Sequence, residues 1–146
     1  MNLKVYTDGG ARGNPGPAGI GIIIKNDDKI IAKIKKYIGE ATNNQAEYQA
    51  ILSALEFIKA NYVGKIDSLL CSLDSQLVVE QLRGNYKVKN QDLAILFLKI
   101  KKICEDLDLK IEFVHIPREQ NKLADKLVNI AIDEKSDFSV ELPLEK

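Results

Sequence analysis

Residues 20–38 read IGIIIKNDDKIIAKIKKYI. Two runs rich in isoleucine, Ile20–Ile24 and Ile30–Ile38, flank Asn26, Asp27 and Asp28, residue types that favour a tight turn. The stretch predicts a β-hairpin. Toward the N-terminus, Leu3, Val5 and Thr7 alternate with Lys4, Tyr6 and Asp8, the period of a further strand. Residues 9–19 lie between, with five Gly and two Pro, and read as a loop or tight connection. Three consecutive strands joined this closely should pair antiparallel.

Toward the C-terminus the period changes. From Asn44 to Ala60, Ile51, Ala54, Leu55 and Ile58 form one helical stripe. Ile66–Leu73 is an apolar run of strand length, a short helix can follow at Ser75–Leu82, and Gly84–Lys89 is a polar break. Asp92–Asp106 reads as a helix, Lys110–Ile116 as a strand stopped by Pro117, and Asn121–Ile132 as a last helix. Strands reached across a helix should add in parallel. The expected fold is α/β: a mixed five-stranded sheet, three antiparallel strands plus two parallel, with helices on both faces. One domain is expected over residues 1–132, followed by an acidic C-terminal tail over 133–146. Val140, Leu142 and Leu144 alternate there, as if to follow a sheet edge.

The chain's 146 residues can bury roughly two-thirds of their unfolded surface, so folding needs no disulfide or metal. Hydrophobic residues make up 45% and charged residues 29%, a balance that excludes a disordered chain. Basic and acidic residues number 21 each, so overall charge points to no nucleic-acid partner. The charge is nevertheless uneven, with Arg83, Lys87, Lys89, Lys99, Lys101 and Lys102 set against Asp92 alone between residues 83 and 102. No apolar run approaches the roughly 18 residues of a membrane span, and MNLKVYTDGG lacks the apolar core of a signal peptide. Cys71 and Cys104 sit among apolar neighbours and read as reduced core thiols, which suits the cytoplasm.

Four acids stand where a purely structural chain has little use for them. Asp8 follows the first strand on the Tyr6 side, and Asp74 ends the run LLCSLD. Glu47 shares the stripe of Ile51, and Asp125 lies in a row with Val128 and Ile132. Each has an ordinary explanation: Asp8-Gly9 as a turn, Asn44 with Glu47 as a capping box, Asp74 as a helix cap, Asp125 as a surface residue. Together they suggest one cluster. Converging carboxylates repel one another unless a divalent cation neutralises them, and oxygen-only ligands select hard ions such as Mg²⁺ or Mn²⁺. Two such ions roughly 3.5–4 Å apart can activate a water and stabilise the leaving oxygen of a phosphodiester.

The words carry more than the spacing. YTDGGARGNPGPAGIG (6–21), TNNQAEY (42–48), LDSQLVV (73–79) and REQNKLAD (118–125) resemble, in that order, the signatures of the ribonuclease H type 1 family. The resemblance runs from about residue 3 to residue 132. It implies a ribonuclease H-like fold and an endonuclease that cuts the RNA strand of RNA–DNA hybrids with two metal ions, Mg²⁺ or Mn²⁺, leaving 5′-phosphate and 3′-hydroxyl ends. Asp8, Glu47, Asp74 and Asp125 would be its metal-binding acids. Asn43, Asn44 and Gln76 would meet the minor groove of the hybrid. Asn14 and the peptide groups from Gly10 through Arg12 to Gly13 would meet RNA 2′-hydroxyls, which short amides and backbone groups can read as donor and acceptor. Thr42 and Asn90 would grip a phosphate of the DNA strand.

The chain departs from the family pattern in two places. Gly84–Lys89 is too short for the basic helical insertion that many members use as a substrate handle, so affinity should rest on Arg83, Lys87, Lys89 and the groove, and should be salt-sensitive. Many members also carry a loop histidine before the last acid's helix. The only histidine here, His115, belongs to the strand pattern Ile111–Phe113–His115, whereas Arg118 in the following turn is better placed as an auxiliary group that holds a phosphate. Three functions compete on such a fold: a hybrid-specific ribonuclease acting as a monomer, a non-catalytic hybrid-binding module, and a related nuclease acting on DNA. Cleavage of RNA–RNA duplexes is a further activity that the resemblance allows. A missing acid would favour the binding module, and none is missing; the asparagine-rich set that reads 2′-hydroxyls argues against DNA as substrate.

Overall fold

A computed structural model of the chain describes residues 1–141. Its elements are β1 (Asn2–Ala11), β2 (Gly16–Asn26), β3 (Lys29–Ala41), α1 (Asn43–Tyr62), β4 (Ser68–Leu73), α2 (Gln76–Leu82), α3 (Gln91–Leu107), β5 (Lys110–His115), a 3₁₀ turn (Arg118–Gln120), α4 (Lys122–Glu134) and β6 (Phe138–Glu141). The sheet runs β5-β4-β1-β2-β3-β6. β1, β2 and β3 pair antiparallel, and β4 and β5 add in parallel, as the sequence predicts. A short sixth strand extends this five-stranded sheet, with β6 lying antiparallel on β3.

The two faces of the sheet are built differently. Leu3, Val5, Ile20, Ile22 and Ile24 point to one face and are at most 1% exposed. They pack against Ile51, Leu55 and Ile58 of α1 and Ile100 of α3 in one cluster. Burying each such side chain is worth about 1.5–3 kcal/mol, so this layer dominates stability. The opposite face holds α4. There Gly21 is squeezed so tightly that a Cβ would stand 2.2 Å from the Ala124 carbonyl oxygen; on the first face, Gly9 would stand 2.2 Å from that of Ala46 in α1.

This explains why the glycine-rich segment is not the long loop expected over residues 9–19. β1 runs on to Ala11 and β2 begins at Gly16, so only residues 12–15 turn. The glycines at 9 and 21 serve close approach of helix to sheet, which composition cannot tell apart from turn formation. The hairpin turn is also tighter than Asn26–Asp28: Asn26 pairs with Lys29, leaving Asp27 and Asp28 as the turn, with Asp27 at φ 55°.

The tail boundary at residue 133 falls inside α4, which continues to Glu134. Lys35 then meets Glu134 and Ser136 at 2.8 and 2.7 Å, and the Tyr37 amide donates to Asp137. The sheet-edge docking expected from Val140, Leu142 and Leu144 is realised by Phe138–Glu141; Leu142 and Leu144 lie outside the described residues. No helix among the described residues is long and apolar enough to cross a membrane.

Candidate active site

The β1–β4 ladder ends at Tyr6 and Ser72. Two residues beyond, Asp8, still within β1, and Asp74, just past β4, stand side by side where the two parallel strands part, the usual place for a site in α/β sheets. Glu47 arrives from the first turns of α1 and Asp125 from the first turn of α4. Carboxylate oxygens of Asp8, Glu47 and Asp74 lie within 4.8 Å of one another. Asp125 is outside that trio but close enough to Asp8 that its charge helps raise the Asp8 carboxyl, as Asp8 in turn raises Glu47. Asp8 is thus the hub on which the other three converge.

The ordinary explanations for Asp8, Glu47 and Asp74 do not hold. Asp8 lies within β1, paired with Gly21, not in a turn. The capping box of α1 is made by Thr42 and Gln45, at 3.1 and 2.8 Å, and not by Asn44 and Glu47. Ser75, not Asp74, caps α2 by accepting from the Val78 amide. Each acid is therefore free for the cluster. None of the ion pairs among the described residues involves them.

Burial and like charge set the electrostatics. Asp8 is 7% exposed, and its carboxyl is pushed up to about 7, first by burial and then by Asp74 and Asp125. Glu47 is held well above the usual carboxylate range by burial, Asp8 and Asp74. Its Oε2 is buried without a hydrogen-bond partner. A buried oxygen left unpaired beside two further carboxylates suits a hard divalent cation, and the all-oxygen donor set fits one. Cys71, by contrast, is pushed by burial to about 12 and is an inert core thiol.

The expected substrate-facing residues fall into two groups. Asn14 Oδ1 accepts from the Asn43 amide, and Asn43 Oδ1 accepts from the Ala11 amide, at 3.0 and 2.9 Å. Both thus spend the carbonyl oxygen on backbone and leave the NH₂ for an outside acceptor. Thr42 and Asn90 cap α1 and α3, and with Asn14, Asn43 and Asn44 they line a cavity of about 470 Å³ between the two helix starts. Gln76 is exposed at the start of α2. Gly10 and Gly13 lie at either end of the β1–β2 corner, whose Arg12 side chain reaches Asp133 and Asn129 on α4. Arg83, expected to help hold substrate, is partly committed within the protein, since its Nε donates to the Phe113 carbonyl at 2.8 Å and it pairs with Glu80, while its side chain stays exposed.

His115 ends β5 in register with Leu73, and alternation puts it on the face of Phe113, away from that of Asp8. Arg118 stands exposed in the 3₁₀ turn between β5 and α4. The sequence reading passes over Asn121. Four residues before Asp125 it looks like a routine helix cap, yet its side chain makes no capping bond and is 2% exposed. Its Nδ2 donates instead to the Thr7 carbonyl at 2.8 Å and to Asp74 Oδ2 at 3.4 Å.

A buried carboxylate cluster at the switch from antiparallel to parallel pairing defines an α/β fold whose acidic site suits a divalent cation. The family described as reverse transcriptase-like matches residues 6–131. Ribonuclease HI of Halobacterium salinarum is 39% identical over 133 residues, which are 90% of this chain and 65% of that protein. The bifunctional protein Rv2228c of Mycobacterium tuberculosis is 38% identical over 91% of this chain, which spans only 36% of that relative's length. The crystal structure of LC11-RNase H1 in complex with an RNA/DNA hybrid superposes with a TM-score of 0.88 at 46% identity, covering 91% of this chain and 98% of that one. This chain belongs to the ribonuclease H family, type 1.

Proposed function

We propose that this domain is a metal-dependent endonuclease that hydrolyses the RNA strand of RNA–DNA hybrids, leaving 5′-phosphate and 3′-hydroxyl ends. The observation that carries the reading is the clustering of Asp8, Glu47 and Asp74 from β1, α1 and the end of β4, with Asp125 of α4 beside Asp8 and no basic side chain paired to any of them among the described residues. Asp8, Glu47, Asp74 and Asp125 would hold the divalent ions, Mg²⁺ or Mn²⁺, two per site. When bound, such ions supply an activated water and positive charge for the leaving oxygen. With its carboxyl pushed up to about 7, Asp8 gives up a proton as the cation enters, so binding strengthens as pH rises.

The substrate contacts follow from the free donors. The NH₂ groups of Asn14 and Asn43, with Asn44 and Gln76, present donors to 2′-hydroxyls and minor-groove acceptors. Peptide groups at Gly10 and Gly13 would join them, and Arg12, half-exposed while paired with Asp133, adds charge to the same rim. Thr42 and Asn90 sit at two helix N-termini, whose dipoles favour a DNA-strand phosphate. Arg118 would be an auxiliary group over the scissile phosphate. The relative LC11-RNase H1, seen with a hybrid bound, supports this substrate class. We take the domain, with the C-terminal segment after α4 docked on β3, as a cytoplasmic monomer.

The test is cleavage of an end-labelled hybrid by the full chain with Mg²⁺ or Mn²⁺, against an EDTA control and the matching RNA–RNA and DNA–DNA duplexes. Products only from the hybrid's RNA strand, and only with metal, are expected. No cleavage under any metal, with the hybrid still bound, would leave a binding module instead.

A further inference from the structure

Asn121 occupies an unusual place. It closes the 3₁₀ turn through its amide, which donates to Arg118 O at 2.9 Å, and its carbonyl accepts the Asp125 amide at 3.1 Å. Its side chain turns away from the α4 amides it could cap and reaches Thr7 O and Asp74 Oδ2 through the same Nδ2. One buried residue thereby touches the peptide next to Asp8, the carboxylate of Asp74 and the helical turn that carries Asp125. The Thr7 carbonyl lies just past the last β1–β4 pair, so the amide replaces a ladder partner where the strands part.

We infer that Asn121 is a positioning residue, which fixes Asp74 against β1 and sets the start of the helix that carries Asp125. Outer residues that orient metal ligands commonly change affinity by 10- to 100-fold when removed. The inference rests on the reading of the four acids as cation ligands, and a binding experiment separates the two. Mn²⁺ is titrated calorimetrically into the EDTA-stripped, dialysed full chain and its variants. The parent chain should bind Mn²⁺, and Asn121→Ala should weaken that binding about tenfold. In an Asp74→Asn background, where the charge that Asn121 holds is gone, the further effect of Asn121→Ala should be clearly smaller than in the parent, the remainder coming from its hold on Thr7 and the start of α4. Ile58→Val, which destabilises the core far along α1, should leave Mn²⁺ affinity unchanged. With hybrid substrate, Asn121→Ala should lower kcat and leave KM near the parent value.

Mn²⁺ affinity of Asn121→Ala within about twofold of the parent, or an equal loss in the Asp74→Asn background, overturns the inference while leaving the cation site standing. A parent chain that binds no Mn²⁺ overturns the cation reading and this inference with it. Should Asn121→Ala fail to fold, Asn121→Leu, which keeps the side-chain volume and removes the donor, carries the same titration with the same outcomes.

Discussion

Two pairs of carboxylates in this molecule live under opposite electrostatics. Asp106 sits between Lys59 and Lys102, at 3.1 and 3.2 Å, and Glu134 meets Lys35 at 2.8 Å. These contacts hold both acids below the usual carboxylate range, with hydrogen bonds to the lysines the largest cause. Asp8 and Glu47 are buried, have acids as their charged neighbours and are pushed upward, first by burial, against the smaller opposing effect of the Gly9 backbone. A chain with 21 basic residues could have supplied a cation to the second pair. That it pairs lysines with Asp106 and Glu134 and none with Asp8 or Glu47 among the described residues separates carboxylates that tie elements together from carboxylates clustered with one another.

The comparison breaks hardest at Asp8. Asp8→Asn should reduce hybrid cleavage to background, because the hub carboxylate is gone, while Asp106→Asn should leave cleavage at the parent level. Stability should move the other way. A group whose folded value is raised, as for Asp8, supports the fold below its unfolded value near 3.8 and loses that support as pH rises through about 7. In EDTA, the parent and Asp8→Asn should therefore differ least near pH 4. By pH 8 the variant should be the more stable, by at most on the order of 2–4 kcal/mol. Urea melts at the two pH values measure this. A gap that stays constant with pH would show that Asp8 is not strained by its neighbours.

Metal should restore what the ionised cluster costs. A ligand at 100 times its Kd adds about 2.7 kcal/mol of stability. Millimolar Mn²⁺ should raise Tm clearly at pH 8 and less at pH 5, where Asp8 and Glu47 hold protons that the ion must displace. Equal shifts at both pH values, or none in Asp74→Asn and in the parent alike, would speak against a shared cation site.

Most of this was legible in the residues, and the gaps have physical causes. The isoleucine hairpin, the helical stripes and the four motifs carry strand order, helix placement and all four acids. What periodicity misses is what one element does to another. The glycines at 9 and 21 look like turn residues because nothing local shows that Ala46 and Ala124 press on them. Thr42 and Ser75 take the caps that Asn44 and Asp74 could have filled, a competition between adjacent polar residues settled by backbone direction. Arg83 looks like a free cation until β5 offers the Phe113 carbonyl. Asn121 is hidden for the same reason, since its partners lie 114 and 47 residues away.

The loop before α4 offers a smaller, sharper contrast. Arg118→Ala should slow turnover by about 10- to 100-fold if the guanidinium holds one phosphate through a charge-assisted bond of about 1.5–3 kcal/mol. His115→Ala should change the rate little, because His115 shares the face of Phe113. PH–rate profiles of the two variants on one hybrid decide. Loss of most of the rate together with one limb of the pH profile in His115→Ala alone would give the catalytic role to the histidine.

The smallest effect on chemistry is expected at the far end of the chain, where carboxylates are paired. Deleting residues 134–146 removes Glu134 and β6 but keeps Asp133 on Arg12. Cleavage should stay within about twofold of the parent, since the truncation takes none of the four acids or their neighbours. Stability should fall, and the reason is specific. Lys35 is 9% exposed, and its ammonium is held by Glu134 and Ser136. Truncation strands that charge on β3, where it must either stay unpaired or swing its stem outward. A Tm drop of roughly 5 °C is expected, and Lys35→Met in the truncated chain should recover part of it, because an apolar side chain suits the uncovered strand without a partner. Glu134→Gln in the full chain sharpens the point. Glu134 lies below the usual carboxylate range, so its support is present above its unfolded value near 4.5 and lost as pH falls. The variant should therefore cost Tm at pH 7 and nothing at pH 3. Cleavage lost on truncation at unchanged Tm would instead make the C-terminal segment part of the active site.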